Sequence, residues 1–135
     1  MGVQLSIITP AHLFVEVEAE SVLLPGEAGE FGVLPAHERF LTSLVPGILE
    51  YVSGEGAERL VVSSGFAEVA AERVTVLVRA AERMQDIDRE QAEADLIRAE
   101  QALRDVGDEA VGERRAEHEL EAAHARARLK VSEES

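Results

Sequence analysis

The pattern of hydrophobic and polar positions divides the chain into two parts. In residues 3 to about 79, apolar residues recur at every second position, as in "LFVEVEAESVLL" and "RVTVLVR", and many are β-branched. This period is typical of strands with one buried face. Turn-forming groups such as Pro25-Gly26 and Pro46-Gly47 interrupt it about every eight to twelve residues. Because no helical stretch separates these short strands, the pattern predicts an antiparallel β-sandwich or flattened barrel of about eight to ten strands.

The second part of the chain follows a helical period. Asp88, with Gln91 three residues later, is predicted to cap the first helix, and Asp86 is an alternative cap. Gly107 interrupts the pattern, and a second helix is predicted to end near Lys130. The predicted apolar stripes are Ala92, Leu96, Ala99, Leu103 and Val106 in the first helix, and Ala116, Leu120, Ala123, Ala127 and Val131 in the second.

The fold class predicted from these periods is segregated α+β. An N-terminal antiparallel β-sandwich, residues 1–84, precedes a C-terminal α-helical hairpin, residues 85–135. The helical stripes consist mostly of alanine, which allows close approach but buries little apolar area. We therefore expect the hairpin to be held weakly and to be able to exchange one docking surface for another.

Composition and charge exclude several classes of function. The chain has 135 residues, which suits one compact domain with an accessory segment. It contains no cysteine, so disulfides and thiolate metal sites are excluded. The net charge of −14 opposes binding to nucleic acids and anionic lipids. With no charged leader and no long apolar run, the sequence predicts a cytosolic chain that reaches a membrane only through another protein.

The stretch "PGEAGEFGVLPAHERF" is too rich in glycine and proline for a helix and too apolar for a loop without a structural or binding role. A phosphate loop is excluded because no Gly-Lys-Ser/Thr follows. A metal site is not predicted, since His37 has no histidine partner at helical spacing, and no nucleophile–base set for catalysis is present. The glycines favour a tight hairpin or bulged bend, with Glu27 and Glu30 at a tip suited to contact a partner.

Longer motifs then show a resemblance. The segments "LLPGEAGEFGVLPAHERFLTSLVPGIL" and "SSGFAEVAAERVTVLVRAAER" resemble, in the same order, the epsilon subunit of bacterial F-type ATP synthases. The match extends from Leu5 to about Val131. In two places the sequence departs from the family pattern, with Ala36 before His37 and Ser64 before Phe66 in place of glycine.

The resemblance implies a non-catalytic rotor subunit with a β-sandwich and a helical hairpin. The sandwich is then expected to bind the gamma subunit and rest on the ring of membrane c subunits, through Glu27, Glu30, Phe31 and His37. The hairpin is expected to fold down on the sandwich or rise towards the alpha and beta subunits and restrain ATP hydrolysis, with Arg126, Arg128 and Lys130 in the contact. The resemblance also implies that the subunit lies at the cytoplasmic face of the bacterial inner membrane, where it helps couple proton transport to ATP synthesis.

Some members of the family also bind ATP on the folded hairpin through an Ile-Asp-x-x-Arg-Ala motif. In this chain Ile87, Asp88 and Ala92 match the motif, and Glu82, Arg98 and Arg128 match further ATP contacts of those members. Gln91 stands at the position of the motif arginine and offers no positive charge to a triphosphate. We therefore expect no cofactor, and we expect ATP to stabilise the chain little.

Two readings compete with the rotor subunit. A free-standing β-sandwich binding module that dimerises through its hairpin would explain the two periods but not the collinear motifs. An enzyme would need a cleft in which Glu30, His37 and Glu38 converge, or a bound metal. Size-exclusion chromatography and elemental analysis distinguish these alternatives.

Overall fold

The computed structural model describes residues 2–33, 39–106 and 113–133, which form ten β-strands followed by two α-helices. A 3-10 turn, Met84–Asp86, connects the last strand to the first helix. The predicted fold class, a β-sandwich followed by a helical hairpin, is confirmed. The elements are β1 (Val3–Ile8), β2 (Leu13–Ala19), β3 (Ser21–Gly26), β4 (Gly29–Val33), β5 (Phe40–Leu44), β6 (Gly47–Ser53), β7 (Gly56–Val62), β8 (Gly65–Ala70), β9 (Arg73–Val78), β10 (Ala81–Arg83), α1 (Arg89–Val106) and α2 (Glu113–Glu133).

The strands are hydrogen-bonded in the order β10-β7-β6-β3-β5-β8-β9-β1-β2, and β4 pairs with β3. The sheet folds back on itself, so that β2 near one end contacts β6 near the other. Successive residues of β1 alternate between buried and half-buried, as the period of two predicts. The side chains of Leu5, Ile7, Leu24, Leu49 and Leu60 are among those that fill one continuous core between the layers.

One pair of strands is parallel, which differs from the all-antiparallel prediction. β1 runs parallel to β9, with Gln4 opposite Arg73 and Ile8 opposite Leu77. Parallel neighbours need a long connection. No parallel pair was predicted, because no helical stretch lies between the strands to form such a connection. Here the rest of the sandwich forms the connection, since β1 and β9 are the first strand and the ninth.

β3 and β4 form the tight hairpin predicted for the glycine-rich stretch, with Glu27 and Ala28 in the turn. Gly29 has a φ of +129°, which favours glycine. A Cβ on Gly26 would lie 2.8 Å from the carbonyl oxygen of Gly29 and 2.8 Å from a ring carbon of Phe31. Two of the three glycines are therefore required by the geometry of the turn.

Pro25 lies where β3 changes its neighbour. Residues Ser21, Val22 and Leu23 pair with β6, whereas Gly26 pairs with Leu44 of β5. Proline donates no backbone hydrogen bond, and at this change of partner none is needed. The Pro25 carbonyl accepts a hydrogen bond from the Val45 amide at 3.0 Å, which ties the hairpin to the end of β5.

The first helix begins as predicted. The Gln91 amide donates a hydrogen bond to Asp88 Oδ1 at 3.1 Å, so Asp88 is the capping residue, whereas Asp86 lies in the 3-10 turn. The two helices are antiparallel, since Arg89 at the start of α1 pairs with Glu133 at the end of α2. Both partners of that pair are exposed, so it adds little stability.

The stripe predicted for the second helix is only partly buried. Ala127 and Val131 are buried against the sandwich, but Ala116 and Leu120 on the same stripe are exposed. The stripe meets β6 and β7 through the C-terminal half of the helix, so its earlier positions are not covered. A second, unpredicted set of buried side chains, which includes Ala122 and Ala125, lies on a different face of α2.

Candidate docking surfaces and the polar cluster at the hairpin

Four apolar side chains form a row on the outer surface of the sandwich. Ile8 lies opposite Leu13 of β2 and opposite Leu77 of β9, and Leu77 lies opposite Phe66 of β8. Directly opposed residues have Cβ atoms about 5 Å apart, so the row is continuous across four strands. Phe66 is 54% exposed, Leu13 50% and Leu77 48%. We call these four residues the apolar row.

The row contrasts with the rest of the same face. The outward neighbours two residues away along three of the strands are Ser6, Thr75 and Glu68, all polar. On the adjacent strand β5, Ser43 lies opposite Phe66, so the row ends there, and Leu41, which is 68% exposed, lies opposite Glu68. Scattered exposed apolar residues are ordinary, but a contiguous set is typical of an interaction surface.

A groove of about 360 Å³ lies along the row and is lined mainly by apolar atoms. Its walls include Ile8, Pro10, Phe66 and Leu77. Thr9, also in the wall, is almost completely buried, and its amide and hydroxyl both donate to the carbonyl of His12. The bend between β1 and β2 is thereby fixed, and the end of the groove has a defined shape.

Sequence reasoning did not find this surface, although a signal was present. Phe66 has the same parity along β8 as Glu68, and Leu77 has the same parity along β9 as Thr75. Both strands therefore place a large apolar residue at an outward position. Alternation alone cannot identify the outward face, but the charged residue Glu68 marks it.

The residues predicted for a docking tip lie on the β3–β4 hairpin. Glu27 and Glu30 are exposed, whereas Phe31 is half-buried against the core, with its ring 5.7 Å from that of Phe40 in an edge-on arrangement. His37 lies outside the described residues. The two carboxylates thus sit on a rigid turn supported by an aromatic pair, and Phe31 supports the tip rather than forming its surface.

A polar cluster lies where the hairpin meets the sandwich. The guanidinium of Arg128 on α2 donates two hydrogen bonds to Glu82 of β10, from Nε at 2.7 Å and from Nη2 at 3.2 Å. Its Nη1 donates to Asp95 of α1 at 3.2 Å. The side chain of Arg128 is 11% exposed. Glu82, Asp95 and Arg128, here called the polar cluster, join the sheet and both helices.

Asp95 also accepts hydrogen bonds from its own helix. Gln91 Nε2 donates to Asp95 Oδ1 at 2.9 Å, and Arg98 Nη1 donates to the same atom at 3.0 Å. Gln91, Arg98 and Arg128, which were compared with the ATP-binding pattern, therefore all bind one carboxylate of the chain itself. Arg98 remains 70% exposed, so its pair with Asp95 is weak.

The other residues compared with that pattern have structural roles. Asp88 caps α1, Ala92 is completely buried, and Ile87 packs beside Val61 and Val131 where α2 meets the sheet. These positions support the hairpin and present no additional positive charge.

His124 lies one helical turn before Arg128 on α2. Burial lowers its pKa from the usual value of 6.5, and the positive charge of Arg128 lowers it further. The carboxylates of Glu82 and Asp95 act in the opposite direction but do not outweigh these effects. Its neutral form is therefore favoured beside the polar cluster.

The predicted basic set of the hairpin is divided in this structure. Arg128 points into the polar cluster, whereas Arg126 and Lys130 are exposed on another face of α2. Arg126 lies 3.5 Å from Glu100 of α1, in a pair whose partners are both exposed. Two of the three basic residues are thus presented to solvent while the hairpin is docked.

Comparisons of sequence agree with this architecture. The family model for the β-sandwich domain of the ATP synthase delta/epsilon chain matches residues 2–84. A protein of Desulfosudis oleivorans named ATP synthase epsilon chain is 50% identical over 103 residues, 76% of this chain and 77% of its own. One of the same name from Nitratidesulfovibrio vulgaris is 42% identical over 129 residues, 96% of both chains.

Solved structures share the fold. A chain of the Euglena gracilis mitochondrial ATP synthase superposes with a TM-score of 0.78 at 23% identity, over 97% of this chain and 81% of the other. A chain of the central stalk and c-ring of the Tetrahymena thermophila enzyme gives 0.62 at 14% identity, over 98% and 97%. No helix in the described ranges is long and apolar enough to cross a bilayer. Because the family model matches residues 2–84 and a relative is 42% identical over 96% of both chains, the chain belongs to the ATP synthase delta/epsilon family.

Proposed function

We propose that this chain is the epsilon subunit of a bacterial F-type ATP synthase, a non-catalytic component of the central stalk. The observation that carries the proposal is the 42% identity over 96% of both chains with a relative named ATP synthase epsilon chain. In this role the sandwich, residues 1–84, helps couple proton transport to ATP synthesis, and the hairpin, residues 85–135, restrains ATP hydrolysis. The subunit lies at the cytoplasmic face of the inner membrane and reaches it only through the complex.

The apolar row is the proposed docking surface for the gamma subunit. A rotor subunit must transmit torque without slipping, which favours a contact that is apolar, shaped and firmly supported. The row meets these conditions because it lies on four hydrogen-bonded strands and borders a groove with a fixed end. Full burial of one phenylalanine or leucine contributes about 1.5 to 3 kcal/mol, so covering the half-exposed Phe66, Leu13 and Leu77 would supply part of the binding free energy, with the rest coming from surrounding contacts.

The tip of the β3–β4 hairpin is the proposed contact with the c ring. Glu27 and Glu30 are exposed there and held by a turn that needs two of its glycines. Phe31 contributes by fixing the turn. His37, the fourth residue of the predicted set, remains a proposal for the gamma contact.

The hairpin is the proposed regulatory element. Arg126 and Lys130 are available to acidic surfaces of the alpha and beta subunits, and Arg128 becomes available only when it leaves Glu82 and Asp95. No cofactor is proposed. Regulatory ATP is also not proposed, since the side chains that would meet its phosphates already bind Asp95.

Binding to the purified gamma subunit, measured by calorimetry, tests the docking surface. Phe66→Ser is expected to weaken binding by about ten- to a hundredfold, because it removes the largest exposed side chain of the row. Glu68→Ser, on the same strand and face, is the matched control and should have little effect. Equal affinities for the two variants would contradict the assignment of the row.

Co-purification of the chain with alpha, beta and gamma subunits from its own membranes tests the family role, and its absence would refute it. A chain truncated after Arg83 tests regulation: the complex should retain coupled ATP synthesis while ATP hydrolysis rises. The sandwich core does not depend on the hairpin, because the side chains that α2 contacts form a separate cluster around Val61. Circular dichroism of the truncated chain confirms that it is folded.

A further inference from the structure

The apolar contact that holds the hairpin on the sandwich is small. Val61 of the sheet and Ala127 and Val131 of α2 are buried in it, and the partly buried residues around them are Ile48, Met84 and Ile87. This cluster is separate from the main core. Alanine and valine side chains contribute little area, and apolar contacts do not by themselves fix a helix in one position.

The polar cluster fixes the position of α2 on the sandwich, which the apolar contact alone does not. Glu82 lies opposite Val61 in the pairing of β10 with β7, so its carboxylate is on the face of the sheet that α2 covers. Arg128 forms a bidentate ion pair with this carboxylate through Nε and Nη2, and its Nη1 donates a hydrogen bond to Asp95. Such pairs are strongly directional. All three bonds exist together only when α1, α2 and β10 have this arrangement.

Burial makes the arrangement sensitive to any single loss. Arg128 is almost fully covered in the docked state, and removing one partner of a buried pair leaves an uncompensated charge. The exposed pairs Arg126–Glu100 and Arg89–Glu133 join only the two helices and leave no such charge. The polar cluster differs from them because it also includes the sandwich.

We propose that Glu82, Asp95 and Arg128 form an ionic latch that holds the helical hairpin on the sandwich without any bound ligand. The latch is a property of the isolated chain. Its effect on ATP hydrolysis rests on the proposed function, and the two are tested separately.

Amide hydrogen exchange of the full chain tests the latch. In Arg128→Gln, peptides from α1 and α2 are expected to exchange at least about tenfold faster than in the unmodified chain, while peptides of the sandwich core stay unchanged. Arg126→Gln removes the same charge two residues away and is expected to match the unmodified chain. Equal exchange in the two variants would overturn the proposal.

A double-mutant cycle provides a second test that does not depend on one variant. Glu82→Gln and Arg128→Gln are expected each to accelerate exchange, and the double variant should be little faster than either, because both remove the same bonds. Additive effects would mean that the residues act independently, which contradicts a latch. Asp95→Asn, which leaves the pair with Glu82, is expected to have a smaller effect in the same direction.

The assembled complex separates the latch from the regulatory role. Glu82→Gln releases the hairpin but keeps all three basic residues, so ATP hydrolysis is expected to fall below that of the unmodified complex. Suppose that Glu82→Gln loosens the helical hairpin in the isolated chain, but that ATP hydrolysis is unchanged both in the complex with Glu82→Gln and in the complex with the truncated chain. The latch then stands and the inhibitory role is wrong. If the hairpin is not loosened, the latch is wrong whatever hydrolysis shows.

Discussion

Replacing Gly26 by alanine should displace the tip of the β3–β4 hairpin. The added Cβ would stand 2.8 Å from the carbonyl oxygen of Gly29 and 2.8 and 2.9 Å from two ring carbons of Phe31. The ring can turn, but it packs against Phe40, and the carbonyl belongs to the backbone of the turn. Overpacking of this kind costs about 1 to 3 kcal/mol.

The chain offers a matched control in the same hairpin. At Gly32 the nearest atom to an added Cβ is a methyl carbon of Leu23 at 3.8 Å, so alanine fits without strain. Gly32→Ala should be neutral or stabilise by up to about 1 kcal/mol, since alanine loses less backbone freedom on folding. Denaturant unfolding of the isolated chain measures both variants. If Gly26→Ala is no less stable than Gly32→Ala, the close packing described at the tip is wrong.

Three further predictions concern the helical hairpin formed by α1 and α2. Millimolar ATP should raise the melting temperature by less than about 2 °C, because Gln91 carries no charge and Asp95 occupies the available donors; a shift several times larger would refute this. The pKa of His124 is lowered in the docked state, so its contribution to docking is complete above pH 6.5 and is lost as the pH falls below that value. After correction for the intrinsic pH dependence of amide exchange, the protection of the helices should therefore decrease on acidification, and His124→Gln should remove this dependence. Val131→Ala should weaken docking by about 2 kcal/mol and leave the sandwich intact, whereas Val74→Ala should destabilise the sandwich itself, as domain-resolved exchange will show.

The elements of this fold could be predicted because local patterns specify them. The period of two in β1 and the cap at Asp88 depend on residues close in sequence, and both were found. The parallel pair of β1 and β9 could not be found in this way, because it depends on two strands that meet only after the sheet has folded back.

The candidate sites were less accessible to sequence reasoning. Arg128 was noted for its charge, but its partners Glu82 and Asp95 lie 46 and 33 residues away, and no local pattern connects them. Ala116 and Leu120 were wrongly predicted to be buried. A helical stripe shows which face of a helix is apolar, but not how much of that face a neighbouring element covers. Phe66 was read as part of a motif, although its exposure depends on which face of β8 is turned outward.

The pairing of β1 with β9 also bears on how the chain folds. Gln4 lies opposite Arg73, 69 residues later, so after its synthesis β1 must wait for nearly the whole sandwich before it finds this neighbour. Contacts so distant in sequence slow folding, because a long loop must close before the contact stabilises anything. During that interval β1 has only β2 as a neighbour, and its other edge is open to pairing with other chains. The sheet can close once β9 has been made, and the helices emerge afterwards, so the surface on which they dock is complete before they reach it.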